Sequence, residues 1–552
     1  MSITTTHAKP LTEDQYPYHG GLESGIELPS RSPESAKTLQ PVSDHQNSDG
    51  TLSSSRDAQS KSQLSTKSRE VKLSRLRSTL IIITLAGVSF LNTMGSGLLT
   101  VALPRIATDI GLQESLLLWP ASVYALAAGC LLLIFGAVAD VVGAKVVWVT
   151  GSFFYVLFSL AVGLSQTGIQ MIMFRTFLGI AISMCLPTAV SLTTNTFARG
   201  QWRNMAFASI GMGQPIGYSV GLVLGGVFTD TIGWRWGFYI SAIINSLISV
   251  CAIWVLPSVS RFSEKPWKRR LIEDIDWIGA LILSVALGIL LYVLAMTTSS
   301  YHRLSDVQNI LLLVVSVLGL VAFPFYMNYR EKNRKPAIIP NRLWRNASFT
   351  SICIAVFFCW AAFNAFQYFS TLYFQRVLSL SALQTSIRFL PMTVVGLAVN
   401  ILTGFLIARI QVRTLVVVSA ILTLPASVLM ATVHTDWSYW RASFWAMLLS
   451  PVHPDVLFTV SNIIISNAYP GEEQSLAGGV FNQVSQIGNS VGLAVTAAIA
   501  ASVTEHSAAT GADALLQGYR SVFWTVFAAM AVVVVVAFFG LKKGGLVGSK
   551  ED

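Results

Sequence analysis

Asp455 and Arg175 are ionisable residues inside long apolar runs, where a charge is costly unless it serves a function. Asp455 stands in Ser450-Pro451-Val452-His453-Pro454-Asp455, near the middle of an apolar run over 442–466. A carboxylate so placed suits proton binding and release, and His453 is a second titratable group beside it. Pro451 and Pro454 are expected to open the backbone and leave carbonyls facing a cavity. Arg175 lies nearly two turns into the run 169–193, where it can hold a substrate anion or pair with a proton-carrying acid. The competing readings are structural. Arg175 can snorkel to the nearby membrane surface, and a later helix start would leave Asp455 and His453 in an outer vestibule. Asn364 and Gln367, interleaved with Phe357, Trp360, Phe363 and Tyr368, suit contact with an apolar or aromatic solute. Asn92, Thr93 and Ser96 add polar groups to the first run, whereas Asn482, Gln483, Gln486 and Asn489 read as bridges between helices.

These residues must be carried by membrane helices. The chain is 53% hydrophobic and 12% charged, against about 25% charged for soluble domains. Its apolar residues come in continuous runs rather than in alternation, which excludes a β-barrel. Runs of spanning length (about 20 residues) occur near 79–101, 116–138, 146–165, 169–193, 204–228, 237–257, 277–297, 308–328, 349–372, 383–408, 414–433, 442–466, 477–503 and 521–541, which predicts fourteen helices. The net charge of +10 fits basic cytosolic loops better than nucleic-acid binding. Loop 258–276 carries Arg261, Lys265, Lys268, Arg269 and Arg270, and loop 329–348 carries Arg330, Lys332, Arg334, Lys335, Arg342 and Arg345. Both loops and both termini are therefore expected in the cytosol. That side also holds the sequon Asn346-Ala347-Ser348, which is then unused. Residues 1–75 read as a disordered cytosolic tail, ending in a basic cluster from Lys67 to Arg77. The five cysteines lie in apolar runs without metal-ligand spacing.

An internal echo sets the architecture. Ile216-Gly217-Tyr218-Ser219-Val220-Gly221-Leu222 recurs as Ile487-Gly488-Asn489-Ser490-Val491-Gly492-Leu493. Gly213, Gly217, Gly221 and Gly225 recur every fourth residue, which puts them on one helix face for close packing. If helix 13 repeats helix 5, the chain holds two six-helix bundles, 79–257 and 349–541. The segment 258–348, with basic loops and an inserted helix pair, lies between them, and a cytosolic tail 542–552 follows. Repeated bundles of this kind are the mark of secondary transporters.

Five motifs now resemble the major facilitator superfamily, in its fourteen-helix drug:proton antiporter branch, over about 79–541. Gly136-Ala-Val-Ala-Asp140-Val-Val-Gly143-Ala-Lys145 resembles its loop signature between helices 2 and 3, and Arg175-Thr-Phe-Leu-Gly179 its helix 4 motif. Gly217-Tyr-Ser-Val-Gly221-Leu-Val-Leu-Gly225-Gly226 resembles the antiporter motif. Trp234-Arg235-Trp236 with Phe238, and Val101-Ala-Leu-Pro104 at the end of helix 1, fit as well. The resemblance is to fungal members, including aminotriazole-resistance-type exporters and toxin efflux pumps. It implies that Asp140 acts as a conformational latch, capping a neighbouring helix or pairing with a basic residue, and that helices 4 and 12 line a central cavity. The chain departs from the pattern at Asn92, where an acid is usual, and at Val141, Ala144, Leu178 and Leu222.

The expectation is an all-α membrane protein that exports small organic toxins, drugs or a secondary metabolite by proton exchange. It would be a monomer in the plasma membrane, with the vacuolar membrane as the alternative, and no nucleic acid among its partners. No Walker loop, nucleophile elbow or zinc-hydrolase motif is present, so neither an enzyme nor a resident cofactor or metal is expected. The proton gradient would supply the energy. The alternatives are a facilitator, importer or exporter of a small polar solute such as ammonium or borate, and a non-transporting solute sensor.

Overall fold

The computed structural model describes residues 74–113, 116–197, 201–258, 266–297, 306–407, 409–469 and 472–541. Most of the N-terminal tail and basic cluster, and the tail 542–552, lie outside the described residues. Fourteen described helices are long and apolar enough to cross a membrane. The first six are α1 (Arg75–Asp109), α2 (Trp119–Val142), α3 (Ala144–Leu164), α4 (Gly168–Thr196), α5 (Gln201–Asp230) and α6 (Arg235–Val255). An intervening pair follows, α7 (Trp277–Thr297) and α8 (Val307–Lys332). The last six are α9 (Ala347–Leu372), α10 (Ala382–Leu406), α11 (Val412–Ala431), α12 in two pieces (Ser443–Leu449 and Val452–Ala468), α13 (Glu472–Glu505) and α14 (Ala512–Gly540).

The apolar run predicts that the first helix ends near 101, but α1 continues through Pro104 to Asp109. Proline keeps a helical φ, and in a span its missing hydrogen bond is tolerated. An Arg105–Asp109 pair at 3.2 Å supports the last turn. The sequon asparagine serves as a cap: Asn346 Oδ1 accepts from Ser348 N and Phe349 N, starting α9.

The glycine stripe of α5 packs on α1 in register. Gly213 faces the Ala86 carbonyl, Gly217 that of Phe90, Gly221 that of Met94, and Gly225 the Leu98 backbone. A side chain at any of these positions would hold the two backbones apart. The echo does the same one repeat later, with Gly488 on the Phe357 carbonyl and Gly492 on Ala361 of α9. Thus α13 stands to α9 as α5 stands to α1. Gly226, on another face, meets Ser386 and Ala382 of α10.

The first six and last six helices touch chiefly through α2 with α13 and α5 with α10. Four hydrogen bonds across this boundary lie toward the end where α1 and α5 terminate. Ser490 donates to Ser122 O at 3.0 Å, Ser386 to Leu222 O at 2.6 Å, and Gln375 to Val101 O at 2.8 Å. Asp230, at the last turn of α5, accepts from Leu383 N at 2.8 Å and so caps the start of α10. Helix α7 packs against both α2 and α13, with Ser284 donating to Cys130 O at 2.7 Å. At its base the buried Asp276 pairs with Arg330 of α8 at 3.6 Å and accepts from Gly279 N.

Candidate functional site

A cavity of about 160 Å³ lies between the two sets of helices. Its wall is built from α1, α2, α4 and α5 on one side and α9, α10, α12 and α13 on the other. Arg175 and Asp455 are the two charged residues among those lining it. Polar lining comes from Asn92, Gln214, Asn364, Gln367, Asn400 and Asn489, and an aromatic wall from Trp360, Phe363 and Phe458. Trp360 meets both phenylalanines edge-on, at 6.0 and 6.4 Å. The cavity therefore offers amides and hydroxyls on some faces and aromatic rings on another, which suits a small amphipathic solute.

Arg175 is 2% exposed, so it does not snorkel. Its Nε donates to Pro120 O at 3.2 Å, and its guanidinium lies 4.3 Å from the Tyr124 ring centroid. No carboxylate pairs with it among the described residues. The Tyr124 hydroxyl in turn donates to Asn92 Oδ1. Asn92, where the resembling family carries an acid, is thus linked through one tyrosine to the cavity's cation. Further tyrosines, Tyr218 and Tyr368, complete this wall, and Tyr218 shares a hydrogen bond of 3.0 Å with Thr100.

Asp455 stands in the first turn of the second piece of α12. The interruption at Ser450-Pro451 places a helix N-terminus partway along the span, where the dipole's positive end meets the carboxylate. Gly396 leaves room for it: a Cβ there would lie 2.8 Å from Asp455 Oδ2. Thr423 of α11 donates to Leu449 O at 3.2 Å and accepts from His453 N at 3.1 Å, so one hydroxyl satisfies both freed groups.

His453 does not join Asp455. Two residues along a helix turn the side chain by about 200°. Its ring is fully buried against α11, with Nδ1 3.0 Å from Ser419 Oγ. Asn364 and Gln367 do line the cavity. Asn364 donates to Asn489 O at 3.3 Å, and Gln367 lies 3.9 Å from the Met392 sulfur. Asn482, Gln486 and Asn489 line the cavity rather than only bridging helices. Tyr368, one of the aromatics interleaved with Asn364 and Gln367, lines it too, and Gln214, Tyr218 and Asn400 join it without having stood out in the sequence. Tyr218 sits inside the echoed motif, which is a signal for it; the others have none beyond polarity in a span.

The residues of the loop signature lie at the end of the bundle where α2 finishes. Gly143 adopts φ 112°, a conformation that favours glycine, and joins α2 to α3. Lys145 donates to Ile253 O at 2.8 Å and Arg77 to Val255 O at 3.4 Å, so two cations cap the last carbonyls of α6. A Cβ at Gly136 would lie 3.4 Å from Pro187. The Asp140 carbonyl accepts from Arg270 of a short helix, Trp267–Glu273, at 3.4 Å.

Residues 85–492 match the sequence profile of the Major Facilitator Superfamily. The chain is 52% identical over 532 residues to MFS-type transporter 1 of Pyricularia oryzae, covering 88% of this chain and 86% of that protein. It is 27% identical to the low affinity ammonium transporter of Saccharomyces cerevisiae, covering 73% and 76%. It is 26% identical to the aminotriazole resistance protein of the same yeast, covering 76% of each. In fold it is similar to the inward-facing crystal structure of a bacterial homolog of the human lysosomal transporter Spinster. That match has a TM-score of 0.57 and 14% identity, and covers 85% of this chain and 98% of that one.

Proposed function

The chain belongs to the major facilitator superfamily, a family of membrane transporters rather than enzymes, and we propose that it exports small organic compounds in exchange for protons by alternating access. The observation that carries this reading is that Asp455 and Arg175, from opposite halves, line one cavity. Asp455 would carry the proton. Its carboxylate faces the cavity from a broken helix, so whichever side the cavity opens to can supply or take the proton. Arg175, held by Pro120 O and the Tyr124 ring, would bind an electron-rich group of the solute, while Trp360 and Phe363 receive its apolar part. Protonation of Asp455 and occupancy by solute would favour different orientations of the two halves, which is the coupling an antiporter needs. Asp140, Gly143 and Lys145 would act at the cytosolic rim, where changes of orientation rearrange helix ends. Similarity to the aminotriazole resistance protein supports the export reading. The basic loop 329–348 supports cytosolic termini, and the plasma membrane is the proposed location.

A second reading has its own support. The amide-rich lining, the cavity of about 160 Å³ and similarity to an ammonium transporter suit a small polar solute moved without gradient coupling. Inverted membrane vesicles with an imposed pH gradient separate the two. Acid-interior vesicles should accumulate organic toxins with wild type and fail to with Asp455→Asn. Ammonium or borate flux indifferent to the gradient and to Asp455 would favour the second reading.

A further inference from the structure

Away from the central cavity, a groove of about 700 Å³ runs along the outer face of α10 beside the connection from α11 to α12. Its wall is almost wholly apolar: Ile387, Leu390, Val394, Trp440, Phe444 and Leu448. Val394 is 64% and Trp440 67% exposed, so these groups face the bilayer. One cation, Arg388, interrupts this surface. Its guanidinium lies 5.6 Å from the Phe374 centroid and 5.4 Å from that of Tyr439. Tyr439 donates to the Arg388 carbonyl at 2.7 Å, which ties the connection to α10. Arg388 Nη1 is buried without a hydrogen-bond partner, and no carboxylate pairs with Arg388 among the described residues.

A guanidinium in a membrane protein is expected to find an anion, and the described residues offer none here. We propose that this groove holds a membrane phospholipid, its phosphate on Arg388 and one acyl chain along α10 toward Val394. Arg388 lines the groove, and its guanidinium matches a phosphate in charge. The depth also fits. Tyr439 packs on Arg388 at the groove's polar end and Trp440 packs on Tyr439, as aromatic residues do at headgroup level. Val394 lies six residues further along α10, about 9 Å deeper at 1.5 Å per residue, so the apolar wall runs in the direction an acyl chain takes.

The test is native mass spectrometry of the full-length protein, titrated with dioleoyl phosphatidylglycerol and with dioleoylglycerol. The two share their chains and differ in the phosphate headgroup. Wild type should bind the phospholipid at least ~10-fold more tightly, a difference of about 1.4 kcal/mol. Arg388→Gln should remove that preference. Val394→Trp, which fills the apolar wall, should weaken both lipids while keeping the preference, and it serves if Arg388→Gln fails to fold. Equal affinity for the two lipids in wild type, a phosphate preference surviving Arg388→Gln, or lipid binding untouched by Val394→Trp would overturn the proposal. So would binding of neither lipid with a transported solute held in the groove instead.

Discussion

Replacing Gly221 by alanine tests the α1–α5 seam on which the fold is built. A Cβ at this position would lie 2.8 Å from the Met94 carbonyl carbon and 2.9 Å from its Cα, with the carbonyl oxygen nearer still. Ordinary van der Waals contact begins at 3.4 Å, so the helices must part by about half an ångström or more, against a packing that has no slack. These are backbone atoms and cannot swing aside. Gly213, Gly217 and Gly225 hold the same seam, so separation at one point loosens dispersion contacts at the others. Overpacking of this kind costs about 1–3 kcal/mol, more than the roughly 0.5–1 kcal/mol that alanine gains over glycine in a helix interior. Gly288 and Gly404 also lie in helices, but an added methyl there would meet nothing within 4 Å, so alanine should be neutral or stabilising. The assay is the melting midpoint of detergent-solubilised protein, followed by fluorescence-detected size-exclusion chromatography. Gly221→Ala should fall below wild type while Gly288→Ala and Gly404→Ala match or exceed it. A Gly221→Ala midpoint equal to that of the controls would refute the seam argument.

Two further substitutions separate structure from coupling. His453→Gln should lower thermal stability by about 1 kcal/mol through the lost contact with Ser419, while gradient-driven transport keeps its pH dependence; altered coupling with intact stability would contradict the placement of His453. Asp230→Ala should remove the cap on α10 at a cost of about 1 kcal/mol, favouring separation of the halves at that end roughly fivefold. An introduced Thr93→Cys in the cavity should then react faster with an impermeant thiol reagent added from that side, and an unchanged rate would count against the cap as a closing contact.

The helices and the repeat were legible because both depend on patterns that composition records. Apolar runs of spanning length leave few alternatives, and glycines spaced by four mark a face for close approach. The partner of that face was not legible, because α1 meets α5 with its carbonyls, which every residue type possesses. Arg175 and Asp455 stood out because charge in an apolar run is costly. His453 shared that visibility, yet its position two residues from Asp455 turns it to the other side of the helix. Gln214 and Asn400 did not stand out, because amides are common enough in spans that only the converging helices single them out. The proline pair at Pro451 and Pro454 did foretell a broken helix, but not the Thr423 hydroxyl that closes the gap from another helix. Arg388 was hidden in the same way: its apolar groove is assembled from α10 and a connection some fifty residues later.

The central claim is that solute and proton movements are coupled through Asp455. Purified protein in liposomes loaded with a pH-sensitive dye reports it most directly. Adding a transported solute to one side, with no imposed gradient, should drive protons in the opposite direction with wild type, and Asp455→Asn should move none. Solute movement without proton movement in wild type, or proton movement that survives Asp455→Asn, would contradict it.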